Sequence, residues 1–325
     1  MPHRQFAMIA LGALALWSNA AREGVCQATP QAHFLDVSPK TGPSLIPTDS
    51  SLRLSDLVVK EQWSEAAQLG RELALQGTKN PAVSYYLGLA LVRLGDPVGA
   101  IHNLRDAERL GMDTAYLHQV LGIAYYNVHQ FILFEQQMDK SISLDSTDYK
   151  SYFYRGQFLE SIRTDFPGAL KYFEKARTLN PDHTESWYHE GYCFETMGRY
   201  SEARSRYDTA VRLVERQHEK FSLPYQGIAR LLVNESPSEA LEFACKAAEL
   251  EPASDSNHVI LGKIYEKLGR RSQALEELQA AVRIDPANAS PRFMLARIYQ
   301  ELGDREAAAA ELAMFEKINQ VYGRE

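Results

Sequence analysis

Six glycines, Gly88, Gly122, Gly156, Gly191, Gly227 and Gly262, recur at steps of 34, 34, 35, 36 and 35 residues, and the next step of 34 lands on Ala296. A second ladder follows 12 or 13 residues behind: Ala100, Ala169, Ala203, Ala240, Ala274 and Ala308, with Phe134 in the slot after Ala100. A period in this range means one supersecondary unit copied and stacked, because a single copy cannot bury its own apolar face. The chain is therefore expected to fold as an array, with its function on the surfaces that the array presents.

One copy shows the grammar. Trp187, Gly191 and Phe194 are spaced four and three apart and share one helical face. Met197-Gly198-Arg199 ends that helix, since glycine takes the left-handed conformation at no steric cost. Ala203, Tyr207 and Ala210 then mark the inner face of a second helix, and Gly191 and Ala203 are the pair that lets the two backbones approach. The register recurs in Leu261, Gly262, Tyr265, Gly269, Ala274, Leu278 and Ala281, and in Leu87, Gly88, Leu91, Gly95, Ala100, Leu104 and Ala107. Pro181, Pro252 and Pro286 each follow a second helix, where proline stops continuation. Ser236-Pro237-Ser238-Glu239 reads as an N-cap serine, a proline at the first helical position and a reciprocal glutamate.

These residues resemble the tetratricopeptide repeat, whose pattern pairs a Leu-Gly step with a later alanine, a bulky residue and a closing proline. The resemblance covers about 275 of the 325 residues. It implies an all-α fold, a right-handed α-solenoid superhelix of about eight helix–turn–helix repeats. They run 47–80, 81–114, 115–148, 149–183, 184–217, 218–254, 255–288 and 289–322. The first is degenerate: Trp63, Ala66 and Leu73 suit its second helix, but its first helix lacks the Leu-Gly pair.

Residues 1–20 read as an export signal: a short start with His3 and Arg4, twelve apolar residues at 6–17, and Ser18-Asn19-Ala20 as a cleavage site. Twelve residues rise only about 18 Å as a helix, short of a bilayer core of about 30 Å. Cleavage is therefore expected, with an uncleaved anchor as the alternative, and no integral membrane segment would remain afterwards. Residues 21–46, with Pro30, Pro39 and Pro43 among Ser, Thr and Gln, read as a flexible linker. The expected location is periplasmic or secreted. Of the three cysteines, Cys26 lies in the linker and is a candidate for a bond to a partner. Cys193 and Cys245 read as small core residues.

The array takes up nearly the whole chain and leaves no room for a catalytic domain, so no enzyme and no cofactor are expected. His189-Glu190 and His218-Glu219 begin like a zinc-protease motif, but Cys193 and Ser222 stand where the second histidine belongs. His118, His189 and His258 fall at repeat positions and read as packing or surface residues, and no metal site is expected. A net charge of −7 without a Lys/Arg run argues against nucleic acid.

The family's first helices line a concave groove. Carried onto this register, the groove positions hold Tyr85, Leu89 and Arg93, then Tyr116, Ile123, Tyr126 and Asn127, then Lys150, Phe153 and Gln157. Tyr188, Tyr192 and Glu195 follow, then Lys263 and Glu266. Thirteen of the 17 tyrosines lie between Tyr85 and Tyr207, which makes this face aromatic. The rings either face a ligand or fill joints between repeats. At the positions of the family's basic carboxylate clamp stand Tyr85, Leu89 and Tyr154 with only Lys150 cationic, which disfavours that ligand. The resemblance implies a scaffold that binds a protein or peptide. Two alternatives stay open: a hydrolase or sugar-binding site using Glu195 or Glu266, and self-association through Leu312, Phe315 and Ile318 of the last repeat, as a homodimer.

Overall fold

The computed structural model describes residues 49–322; the expected signal, the linker and Cys26 lie outside the described residues. Among the described residues there are sixteen helices and no strand. They divide into two units, one within 49–181 and one within 182–322. The first unit holds α1 (Asp49–Val59), α2 (Trp63–Leu75), α3 (Pro81–Arg93), α4 (Pro97–Arg109), α5 (Ala115–Asn127), α6 (Phe131–Leu144), α7 (Tyr149–Ser161) and α8 (Phe166–Leu179). The second holds α9 (Thr184–Thr196), α10 (Tyr200–Gln217), α11 (Leu223–Leu232), α12 (Pro237–Leu250), α13 (Asp255–Lys267), α14 (Arg271–Ile284), α15 (Ser290–Leu302) and α16 (Arg305–Tyr322).

The helix starts follow from local chemistry. Asn80 Oδ1 accepts the Ala82 N–H at 2.9 Å ahead of Pro81, and Asp96 Oδ1 accepts that of Gly99 at 2.9 Å ahead of Pro97. Each satisfies a backbone donor that the helix itself leaves open. Ser236 departs from expectation. It stands at the N-cap of α12 with Pro237 next, but its side chain caps nothing. Its own N–H already bonds the Leu232 carbonyl at 2.8 Å, and Glu239 pairs instead with Arg204 at 3.4 Å.

Between the two helices of most repeats one residue takes the left-handed conformation. Gly95, Gly198, Gly269 and Gly303 do so without a side chain, whereas Glu61, His129 and Thr164 occupy the same turn with φ of 56, 58 and 52°.

The glycine ladder marks the crossing of the paired helices. A Cβ on Gly191 would stand 2.6 Å from the Tyr207 ring and 3.3 Å from the Ala203 carbonyl, so the expected Gly191–Ala203 approach is present. Leu104 and Leu278 stand against Gly88 and Gly262 in the same way. These fillers are wholly buried, as are Phe134 and Phe173, and they form the spine of each unit.

Five residues before the last four of the six glycines stands a polar side chain. Ser151, Ser186, Ser222 and Asn257 are all buried there. Ser151 bonds Ser141 at 2.8 Å and accepts from Gln119 at 3.0 Å. Asn257 donates to the carbonyls of Ala247 and Glu251, each at 3.0 Å, and accepts from Gln226 at 2.7 Å.

Candidate functional site

The aromatic face is largely packed. Tyr85, Tyr126, Phe153 and Tyr188 keep only 4, 6, 2 and 8% of their exposure, so of the two readings left open for these rings the packed one fits these four. The reason is size, since a ring set on a first helix reaches its own second helix or the next repeat. Tyr126 packs on Phe131 and Phe134 at 5.8 and 5.6 Å, and Phe134 is the bulky residue that took the alanine slot. Phe153 meets Phe173 at 5.8 Å. Tyr188 stacks on Tyr207 at 5.8 Å and sets its edge to Phe221 at 5.5 Å. Tyr85 lies 5.3 Å from Tyr86, and burial, with the neighbouring Tyr86 and Tyr116, pushes its phenol far above the usual range. Tyr116, Lys150, Arg93 and Tyr192 are half-buried. Arg93 lays its guanidinium over the Trp63 ring at 5.0 Å.

Polar chemistry gathers instead in the second unit. Glu195, near the end of α9, takes Arg230 Nε and Nη2 from α11 at 3.0 Å each and the Tyr207 hydroxyl at 2.5 Å. Burial alone would raise this carboxyl. The Arg230 charge, the hydrogen bonds from Arg230 and Tyr207, and the Lys263 charge together hold it below the usual glutamate range. Farther along, Arg297 of α15 reaches both oxygens of Glu266 on α13, at 2.6 and 2.5 Å.

At the Glu266–Arg297 pair lies a recess of about 350 Å³ lined by Asn234, Lys263, Glu266, Lys267 and Arg297. Lys263 and Lys267 make no ion pair among the described residues. The Lys263 ammonium is lowered from the ordinary lysine value. Loss of hydration comes first, then repulsion from Lys267, Arg230 and Arg297, against the pull of Glu266. Lys263 reaches solvent, yet its amine sits where surrounding protein replaces much of the water. Four cations, Arg230, Lys263, Lys267 and Arg297, thus face two carboxylates, a local excess opposite in sign to the chain's net −7.

Sequence reasoning selected Glu195, Lys263 and Glu266 but missed Asn234, Arg230, Lys267 and Arg297. Arg297 follows Ala296 as Lys263 follows Gly262, so the same register carried one step further finds it. Arg230 lies three residues past Gly227 and is found only through the carboxylate it reaches in the preceding repeat.

His118 is buried between Gln137 and Asp113, both at 2.7 Å, and His258 bonds Glu277 at 2.7 Å. Cys193 is buried and Cys245 half-buried, and the two are not joined by a disulfide. Leu312 and Phe315 are half-buried and Ile318 is buried, with Phe315 packed 5.4 Å from Phe293. Among the described residues no cluster of His, Cys, Asp and Glu could hold a metal, and no helix is long and apolar enough to cross a membrane.

Comparison with known proteins agrees with this geometry. Two sequence profiles described as tetratricopeptide repeat match residues 163–217 and 267–320. An uncharacterized protein of Methanocaldococcus jannaschii is 36% identical over 53 residues, 16% of this chain, and the chain spans only 62% of that relative's length. Among solved structures, yeast Tom70 is similar with a TM-score of 0.59 at 16% identity, over 98% of this chain and 71% of that one. PilW, a type IV pilus biogenesis factor, is similar at 0.57 and 16%, over 66% of this chain and 98% of that one. At these identities the likeness is one of fold.

Proposed function

We propose, for a chain that belongs to the tetratricopeptide-repeat superfamily, the role of a non-enzymatic scaffold that acts outside the cytoplasm and holds an extended segment of another protein. Repeat proteins of this family bind protein or peptide partners. The segment lies along the first helices. The observation that carries this reading is the pair of lysines on α13, Lys263 and Lys267, left without an ion pair among the described residues at a recess of about 350 Å³. A site for holding a chain needs such groups open to the outside, and both lysines are exposed. A hydrolytic reading fits less well, because Glu195 is tied to Arg230 and Tyr207 and held charged, so it has no proton to donate.

Export rests on the sequence of residues 1–20. Two measurements test the proposal. Amino-terminal sequencing of protein from the native host is expected to start at Ala21. A photo-crosslinking residue in place of Tyr192, on the half-buried side of α9, is expected to capture one defined protein. Crosslinks to no protein, or to many without preference, would remove the scaffold reading.

A further inference from the structure

We infer that the recess on α13 and α15 docks an extended acidic segment, whose side-chain carboxylates pair with Lys263 and Lys267. The inference rests on the scaffold reading and names the chemistry of the partner. Arg230 is matched by Glu195 and Arg297 by Glu266, each through two hydrogen bonds. The two lysines are what remains. They are four apart on α13, and side chains at that spacing are neighbours on one helix face. In an extended peptide, residues two apart point the same way at about 6.6 Å. A Glu-X-Glu or Asp-X-Asp step therefore reaches both amines at once.

Lys263 is hemmed in by like charges, so an anion placed there relieves repulsion as well as adding attraction. Asn234 at the rim supplies an amide able to bond a peptide backbone. The sign of the recess also sorts partners. Elsewhere a chain of net charge −7 repels an acidic segment, and this patch draws it in. Two lysines are too few for the long basic track that nucleic acid requires.

The test is fluorescence anisotropy on the whole chain. The probe is a labelled 12-residue peptide, blocked at both ends, with two Glu-X-Glu steps in a Gly/Ser background. The glutamate peptide is expected to bind and to weaken as salt rises, and its glutamine twin is expected not to bind. Lys263→Gln with Lys267→Gln is expected to lose at least about tenfold in affinity, as removal of close charge pairs does. Lys263→Arg with Lys267→Arg is expected to keep most of it. Both lysines are solvent-exposed, so thermal melting is expected to be unchanged in every variant.

Equal binding of the glutamine twin, or unchanged affinity in the double glutamine variant, would overturn the inference. So would displacement by inorganic phosphate at the peptide's own concentration, which would mark a simple anion site. If the Tyr192 crosslink to a partner survives in the double glutamine variant, the scaffold stands and the acidic docking falls.

Discussion

The Tyr207 ring fills the space that a Cβ on Gly227 would need, since that atom would come within 2.6 Å of it. The two residues belong to successive repeats, and the same ring already presses on Gly191 of its own. Where the next repeat would place a bulky filler it has only Ala244, and Tyr207 reaches across to take that room.

Gly227→Ala should therefore overpack a joint whose other wall is a fully buried ring. The expected loss is about 1–3 kcal/mol, read as a lower urea midpoint with an unchanged slope. Gly198→Ala makes a contrast, because nothing stands within 4 Å of the added atom and the cost comes from φ of +74° alone. Combining each change with Tyr207→Leu should soften the first and leave the second untouched. Equal behaviour of the two would contradict the contact.

Thr164 holds a left-handed conformation that a β-branched side chain adopts at a cost. Thr164→Gly removes that strain and gives up only a bond from the threonine hydroxyl to the adjacent Arg163 carbonyl. Stability should rise by about 0.5–1 kcal/mol, visible as a higher melting temperature. A lower one would show that the hydroxyl matters more than the backbone.

The repeat itself was readable because Gly191 and Ala203 must be small for two backbones to meet, and that demand recurs at most crossings. The Tyr207–Gly227 contact was not readable. It depends on a gap at Ala244 and on how one repeat seats against the next, and neither leaves a periodic mark. The same holds for Tyr85 and Tyr126. Their register placed them on first helices, but whether a ring there opens to solvent is decided by its neighbours, Phe134 above all. The charged recess was half visible through Lys263 and Glu266, whereas Arg230 gains its meaning only beside Glu195.

Tyr188 and Tyr192 sit one turn apart on α9 and should respond differently to truncation. Tyr188→Ala empties a joint walled by Tyr207 and Phe221 and should cost about 3–5 kcal/mol. Tyr192→Ala, at a half-buried position, should cost under about 1.5 kcal/mol and leave the fold available for binding assays. Thermal unfolding of the two variants side by side decides the point, and a mild Tyr188→Ala would return that ring to the candidate binding surface.

Glu195 gives the second unit a pH dependence of definite sign. Its folded-state pKa lies below its unfolded value, so its contribution is present above the ordinary carboxylate range, near pH 4. That contribution fades as pH falls through the lower, folded value. Glu195→Gln should cost about 1–3 kcal/mol at pH 7, since it unpairs Arg230, and the penalty should shrink as the medium is acidified. Urea midpoints of the two proteins between pH 7 and pH 3 should converge. Parallel curves would mean that the carboxylate is not held charged by its partners.

The hydroxyls and amides buried between neighbouring repeats give each interface its own key. Asn257 needs Gln226 beside it, whereas Val83 and Leu117 meet their neighbours with hydrocarbon at the corresponding position. Exchange two such modules, and an amide would be shut in without a partner at about 1–3 kcal/mol. The copies look alike in outline but cannot trade places, so the chain dictates the order of its own stacking, and a surface spread over three copies always presents its charges in one sequence.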